Sequence, residues 1–252
     1  MRASLIKGGI PLLLSLLLLV GVDQAPNASP PSRLVDIVTA NLYADLLIIG
    51  VAFYSGLVPP SSTLCQWYTG YALSAVIADT GIGVIYLLVA HEVADAAFST
   101  PIRLVWFGLL AIGVQWVGDL LFYLLFRVVV PEGSNSMLDH FRSYGEEAGL
   151  GALLGDSFLV VVATLLGALF RMWEERYVGY ALILAVYVVP FLVHARRGVA
   201  FPCDVFPDEE KTSERGEEVV PSGRRRPEER RPPSPRRTLL LSGRSLRGRP
   251  AS

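Results

Sequence analysis

The sequence predicts an all-α fold: a polytopic transmembrane helix bundle of five long spans, preceded by a short N-terminal segment and followed by a disordered C-terminal tail. Three observations predict it. Of the 252 residues, 52% are hydrophobic and 18% are charged, too little charge to cover a soluble domain of this length. The apolar residues gather into runs of about 20, the length that crosses a hydrocarbon core about 30 Å thick. The charge is unevenly placed: residues 1–198 hold 10 Lys/Arg and 14 Asp/Glu, whereas residues 199–252 hold 12 and 9. The organisation that follows is a signal peptide or signal anchor over residues 1–25, a helix bundle over 33–197 and a charged tail over 198–252.

In the first segment Arg2 and Lys7 precede the run IPLLLSLLLLVGV. That is short for a span and suits a signal-peptide core. Asp23 and Pro26 make a poor cleavage site, so cleaved signal and retained anchor both stay open. Asn27-Ala-Ser29 has the form of a glycosylation acceptor, weakened by Pro30 directly after it.

The five spans are expected at Val35–Leu57, ended by Pro59-Pro60, then Trp67–Ala90, Ile102–Val130, Gly149–Phe170 and Tyr177–His194. Pro190 should kink the last of them. Trp67, Tyr68, Trp106, Trp173 and Tyr177 fall near span ends, where amphipathic rings sit at the headgroup level. Arg2, Lys7, Arg127, Arg142, Arg196 and Arg197 fall on one side, against Arg33, Arg103, Arg171 and Arg176 on the other. This bias puts the tail in the cytosol and Asn27 in the lumen.

Between the third and fourth spans, PEGSN reads as a turn. Ser136 and Asp139 form a helix-start pattern. Met137, Phe141, Tyr144 and Ala148 then recur at helical spacing. An amphipathic helix at the membrane surface is expected, with Arg142 and Glu146 in water.

Four of the spans each carry one aspartate directly after an Ala or a Gly: Ala44-Asp45, Ala78-Asp79, Gly118-Asp119 and Gly155-Asp156. An Asp at a helix centre costs about 2.5–3.5 kcal/mol on the insertion scale. Such residues therefore face the bundle interior. The small residue before each lets helix backbones approach, and Gly151-Ala-Leu-Leu-Gly155 adds a GxxxG. Donors at helical spacing are Asn41, Gln115, Tyr123, Arg127, Thr80 and Ser157. Counting from the span ends puts Asp119 and Asp156 at one depth and Asp45 and Asp79 at another, near the midplane, as two stacked carboxylate pairs.

Other chemistry is thin. His91-Glu92 with Asp95 resembles part of a zinc-protease helix, with Asp where the second His belongs, and is not expected to hold a metal. No nucleophile elbow, P-loop or dinucleotide fingerprint occurs, so no cofactor and no enzyme class is implied. Cys65 and Cys203 have no metal or disulfide spacing and read as free thiols, Cys203 with a weak signal for acylation.

The segments GDLLFYLLF and VPEGSNSMLDHFRSYGEEAGLGALLGDSF resemble a group of small multi-pass membrane proteins of large DNA viruses, with similar sequences in algae. The resemblance rests on Asp119, Leu121, Phe122, Tyr123, Pro131, Gly133, Asn135, Met137, Leu138, Asp139, Phe141, Arg142, Tyr144, Gly155, Asp156 and Ser157. It covers roughly residues 67–189 and omits the N-terminal segment and the tail. It implies a membrane setting, in a virion or host endomembrane, and names no substrate.

Two functions follow as expectations, with an unrecognised intramembrane enzyme well behind. The first is a structural or assembly component of a viral or endomembrane bilayer, its aspartates serving as buried polar glue. The second is a small cation or proton carrier or channel that uses them. The expected partners are the lipid bilayer, copies of the chain or other membrane proteins, and anionic lipid along the basic tail at about 1 kcal/mol per residue. A solvated spacer is the first reading of the tail, ahead of lipid contact and of a nucleic-acid arm; nucleic acid is the least expected partner.

Overall fold

The computed structural model describes residues 2–54 and 63–194. The chain divides into two units, Met1–Phe206 and Pro207–Ser252. The described residues all belong to the first. The tail, the Pro59-Pro60 stop, Arg196-Arg197 and Cys203 lie outside them.

Among the described residues there are eight helices and no strand: α1 Arg2–Asp23, α2 Leu34–Tyr54, α3 Thr63–Tyr71, α4 Leu73–Ala97, α5 Leu104–Val128, α6 Ser136–Ala148, α7 Leu150–Arg171 and α8 Glu175–Val193. Five of them, α2, α4, α5, α7 and α8, are long and apolar enough to cross a membrane. Their outward faces carry exposed large apolar side chains such as Trp106, Leu120, Ile183 and Phe191, a surface suited to lipid rather than water. Helix α7 is central. It packs on α1, α2 and α5, and its buried residues Val160, Val161, Ala163 and Ala168 enter two clusters of the core. Helix α1 joins the bundle, with Leu19 fully buried against α5 and α7.

The second span departs from expectation. Instead of one helix over Trp67–Ala90, the chain makes α3, breaks at Ala72 and resumes as α4. Ala72 has φ 44° and ψ −116°, a left-handed conformation that an L side chain rarely adopts. Neither Gly nor Pro stands at the break itself, and Gly70, two residues before it, lies within α3. Gly149, between α6 and α7, has nearly the same conformation, φ 49° and ψ −124°, where glycine carries no Cβ penalty. A short helix followed by a long one thus occurs twice, and α3 and α6 pack together at the same end of the bundle.

Each end of the bundle is tied by arginine. Arg33 donates to Asp36 at 2.7 and 2.8 Å, and to the carbonyls of Phe170 and Trp173 at 3.1 and 3.2 Å. It fixes the start of α2 to the last turn of α7 and to the turn just past it, where a cation complements the helix dipole. The hydrogen bond to Asp36 holds the Arg33 guanidinium above its usual range. At the other end Arg142 of α6 donates to the carbonyls of Phe126 and Val130, closing the C-terminus of α5. Arg142 is therefore part of the packing and not in water as expected; Glu146 is exposed as expected. The α6 cap also shifts by one residue: Asn135, not Ser136, accepts from the amides of Met137 and Leu138. Phe141 faces inward, 4.6 Å from the Trp67 ring and 5.6 Å from Phe122.

Cys65 is disulfide-bonded, correcting the free-thiol expectation. Two lone cysteines far apart in a sequence carry no spacing signal from which to foresee it.

Candidate functional site

All four intramembrane aspartates line one cavity of about 940 Å³. It lies between α2, α4, α5 and α7, and α3 and α6 form its wall at one end. Asp79 and Asp156 are each the seventh residue of their helix, so each sits about 9 Å along the axis from its start. This corrects the depth estimate for Asp79: the break at Ala72 brings it near the α3/α6 end, away from the midplane.

Asp45 and Asp79 are bridged by one side chain. The Tyr68 hydroxyl lies 2.5 Å from Asp45 Oδ1 and 2.9 Å from Asp79 Oδ2, and Trp67 Nε1 donates to Asp79 Oδ2 at 2.8 Å. A phenol has one proton to donate. Both contacts can be hydrogen bonds only if one of the carboxyls brings a second proton. Asp45 is 2% exposed, and its Oδ2 is buried without a partner among the described residues.

Asp119 is held differently. Tyr86 on α4 donates to Asp119 Oδ1, and Gln115, one turn before on α5, donates to Oδ2. Gly118 explains its own place beside Asp119: a Cβ there would run into the Tyr86 ring. Gly83 is likewise closed by the side chain of Asn41, where α2 crosses α4. Asp156 makes no hydrogen bond among the described residues; it shares the cavity lining with Asp119 and Asp79.

Of the expected donors, Gln115 reaches a carboxylate directly. Ser157 supports it, lying 2.8 Å from Gln115 Oε1 and accepting from Trp116 Nε1. Asn41 lines the cavity but donates to the Ile37 carbonyl of its own helix. Thr80 Oγ1 is buried without a partner. Tyr123 lines the cavity and accepts from Arg127 at 2.5 Å, so Arg127, which is exposed, neutralises none of the aspartates. Gly155 faces open space, so the GxxxG does not seat a neighbouring helix there. The donors missed are Trp67, Tyr68 and Tyr86. The first two read as an aromatic belt, and α3 folds them back into the bundle instead.

A repeat underlies this arrangement. Ala72–Thr80 reads ALSAVIADT and Gly149–Ser157 reads GLGALLGDS, position for position small, Leu, small, Ala, two aliphatics, small, Asp, hydroxyl. Asp45-Leu46-Leu47 with Asn41 one turn before matches Asp119-Leu120-Leu121 with Gln115 one turn before. The unit α2–α3–α4 thus corresponds to α5–α6–α7, each contributing one carboxylate from its first long helix and one from its second. The correspondence makes a contrast visible: Asp79 is bonded by Trp67 and Tyr68, and its counterpart Asp156 by neither α6 nor any other described element.

Elsewhere, His91 contacts the carbonyl of Pro31 through Nε2, while Glu92 and Asp95 are exposed. Among the described residues no three potential metal ligands gather. Asn27 is exposed, and Ser29 of its sequon accepts from Arg171 at 2.9 Å. Set beside known proteins, the chain matches no protein-family model, no curated protein and no solved structure.

Proposed function

We propose that this integral membrane protein is a small carrier or channel for a cation or for protons, with the four intramembrane aspartates as its site. The observation that carries the reading is their convergence on one cavity. Polar glue alone calls for hydrogen bonds across helices, not for a space of this size between carboxylates. Asp156, which has no donor among the described residues, strengthens it, since an intramembrane carboxylate otherwise finds a partner. The paired short and long helices, broken at Ala72 and Gly149, are the kind of discontinuity that transport sites use.

The structural reading keeps one specific observation. Asp45, Asp79 and Asp119 are each bonded by a side chain from another helix, as packing residues would be. Asn substitutions separate the two. Asn keeps size and hydrogen bonding but cannot carry charge. In reconstituted vesicles the carrier reading expects Asp156→Asn and Asp119→Asn to fold and lose proton or cation flux. Undiminished flux, or none in the wild type, would leave the structural role.

On the resemblance of residues 119–157 alone, we read the setting as a viral or host endomembrane bilayer. We read the α3/α6 end as cytosolic from the bias of basic residues; the Cys65 disulfide at that end speaks for the opposite orientation.

A further inference from the structure

We propose that the cavity binds an apolar organic cation, an amine or onium ion, which enters from the bilayer between α4 and α5 and takes Asp156 as its counter-charge. This rests on the cation reading above and names the class of cation.

Size comes first. A bare metal ion needs several oxygens at about 2.0–2.6 Å, and no three potential ligands gather among the described residues. A space of about 940 Å³ matches sites for drug-sized molecules, which are mostly apolar with a few placed polar groups. The lining fits that description. Trp67, Tyr86, Phe122 and Phe141 present rings, and ring faces attract cations. Arg142 and His140 are basic groups on the lining, and both are engaged with backbone carbonyls: Arg142 with Phe126 and Val130, His140 with Thr63 at 2.9 Å.

The free acceptor comes next. Among the described residues Asp156 has no hydrogen-bond partner, whereas its counterpart in the repeat, Asp79, has two. A cation paired with Asp156 supplies what the second repeat lacks.

The route follows from exposure. Ile77 and Ile85 on α4 and Val117 and Leu120 on α5 line the cavity and are also among the exposed apolar residues. Gly81, between the first two, has nothing near the position of a Cβ. The mouth is therefore lateral and apolar, and opens where acyl chains lie. A hydrated inorganic ion has no reason to enter there; a lipophilic cation partitions there first.

The test uses the full chain in lipid nanodiscs and radiolabelled tetraphenylphosphonium. Saturable binding is expected, displaced by unlabelled tetraphenylphosphonium but not by neutral triphenylphosphine oxide. Asp156→Asn should weaken it about tenfold or more, the loss of one charged partner. Absence of saturable binding, displacement by the neutral analogue, or full affinity in a folded Asp156→Asn protein overturns the proposal. If that variant does not fold, the wild type decides. Tetraphenylphosphonium should protect Asp156 from a hydrophobic carbodiimide, read by peptide mass spectrometry, and unprotected labelling overturns it. Leu120→Trp, on the lipid-facing rim, should slow association; an unchanged rate overturns the lateral route. Loss of inorganic cation or proton flux in the Asn variants with no phosphonium binding would leave the carrier reading standing and remove this one. Phosphonium binding without any flux would do the reverse.

Discussion

Tyr68 holds two buried carboxyls with a single hydroxyl, so its removal should be felt at both. Tyr68→Phe keeps the ring packing and deletes the hydroxyl that reaches Asp45 and Asp79. An unsatisfied buried acceptor costs about 1–3 kcal/mol. Thermal unfolding in nanodiscs should show a loss of that order. Tyr68→Phe combined with Asp45→Asn should cost less than the two single changes added, because the residues share one network. Tyr123→Phe is the contrast: its partner Arg127 is exposed, and the change should be near neutral. An equal loss in both Tyr→Phe variants would refute the bridging role. At this scale the sequence showed the acceptors and hid most of the donors. An Asp in an apolar run announces itself by its insertion cost, whereas Tyr68 and Tyr86 look like ordinary membrane aromatics until a helix turns them inward.

The element scale turns on the two breaks and on which glycines are closed by neighbours. Ala72 occupies a conformation suited to glycine, and Gly149 occupies nearly the same one. Ala72→Gly should therefore stabilise the protein by about 1 kcal/mol, by relieving the Cβ. A fall in the unfolding midpoint would mean that Ala72 is not held at positive φ. Gly118→Ala should damage the α4–α5 contact, because the Tyr86 ring fills that space, while Gly155→Ala meets nothing and should be neutral or slightly stabilising. Read from sequence, the two glycines are alike, each directly before an Asp. Span length and type were legible because five runs of apolar residues have few ways to satisfy their backbone in lipid except as helices. The break at Ala72 was not, since Tyr71-Ala72-Leu73-Ser74 is ordinary helix composition.

Over the whole molecule, the repeat brings the second unit's carboxylates to face the same space as the first unit's. Cysteines placed at positions 119 and 156, in a background lacking Cys65 and Cys203, should be joined by a flexible crosslinker that spans the cavity. The control pair is 156 with 183, since Ile183 of α8 is exposed on the outside and does not line the cavity. Crosslinking of the control and not of 119 with 156 would break the shared-cavity geometry. Sidedness is open to a direct measurement: protease added to sealed microsomes should clip the tail if the α3/α6 end is cytosolic. Protection of the tail would invert the orientation and agree with the disulfide at Cys65.

The sequence by itself determined the class of fold, the number of spans and the approximate extent of all but the second, the amphipathic α6 and the inward bias of the four aspartates. Each of these depends on chain-local quantities: hydropathy over a helix length, the period of apolar residues, and the cost of a carboxylate in lipid. Tertiary structure decided which groups meet. That Tyr68 bridges Asp45 and Asp79, that Tyr86 rather than Arg127 reaches Asp119, and that Asp156 finds no donor among the described residues all depend on how helices are rotated and crossed. Those rotations come from many small contacts, such as Tyr86 on Gly118 and Asn41 on Gly83, which no single segment encodes. The repeat lies between the two. Its letters are in the sequence, ALSAVIADT and GLGALLGDS, but it takes the paired turns at Ala72 and Gly149 to give them the same meaning.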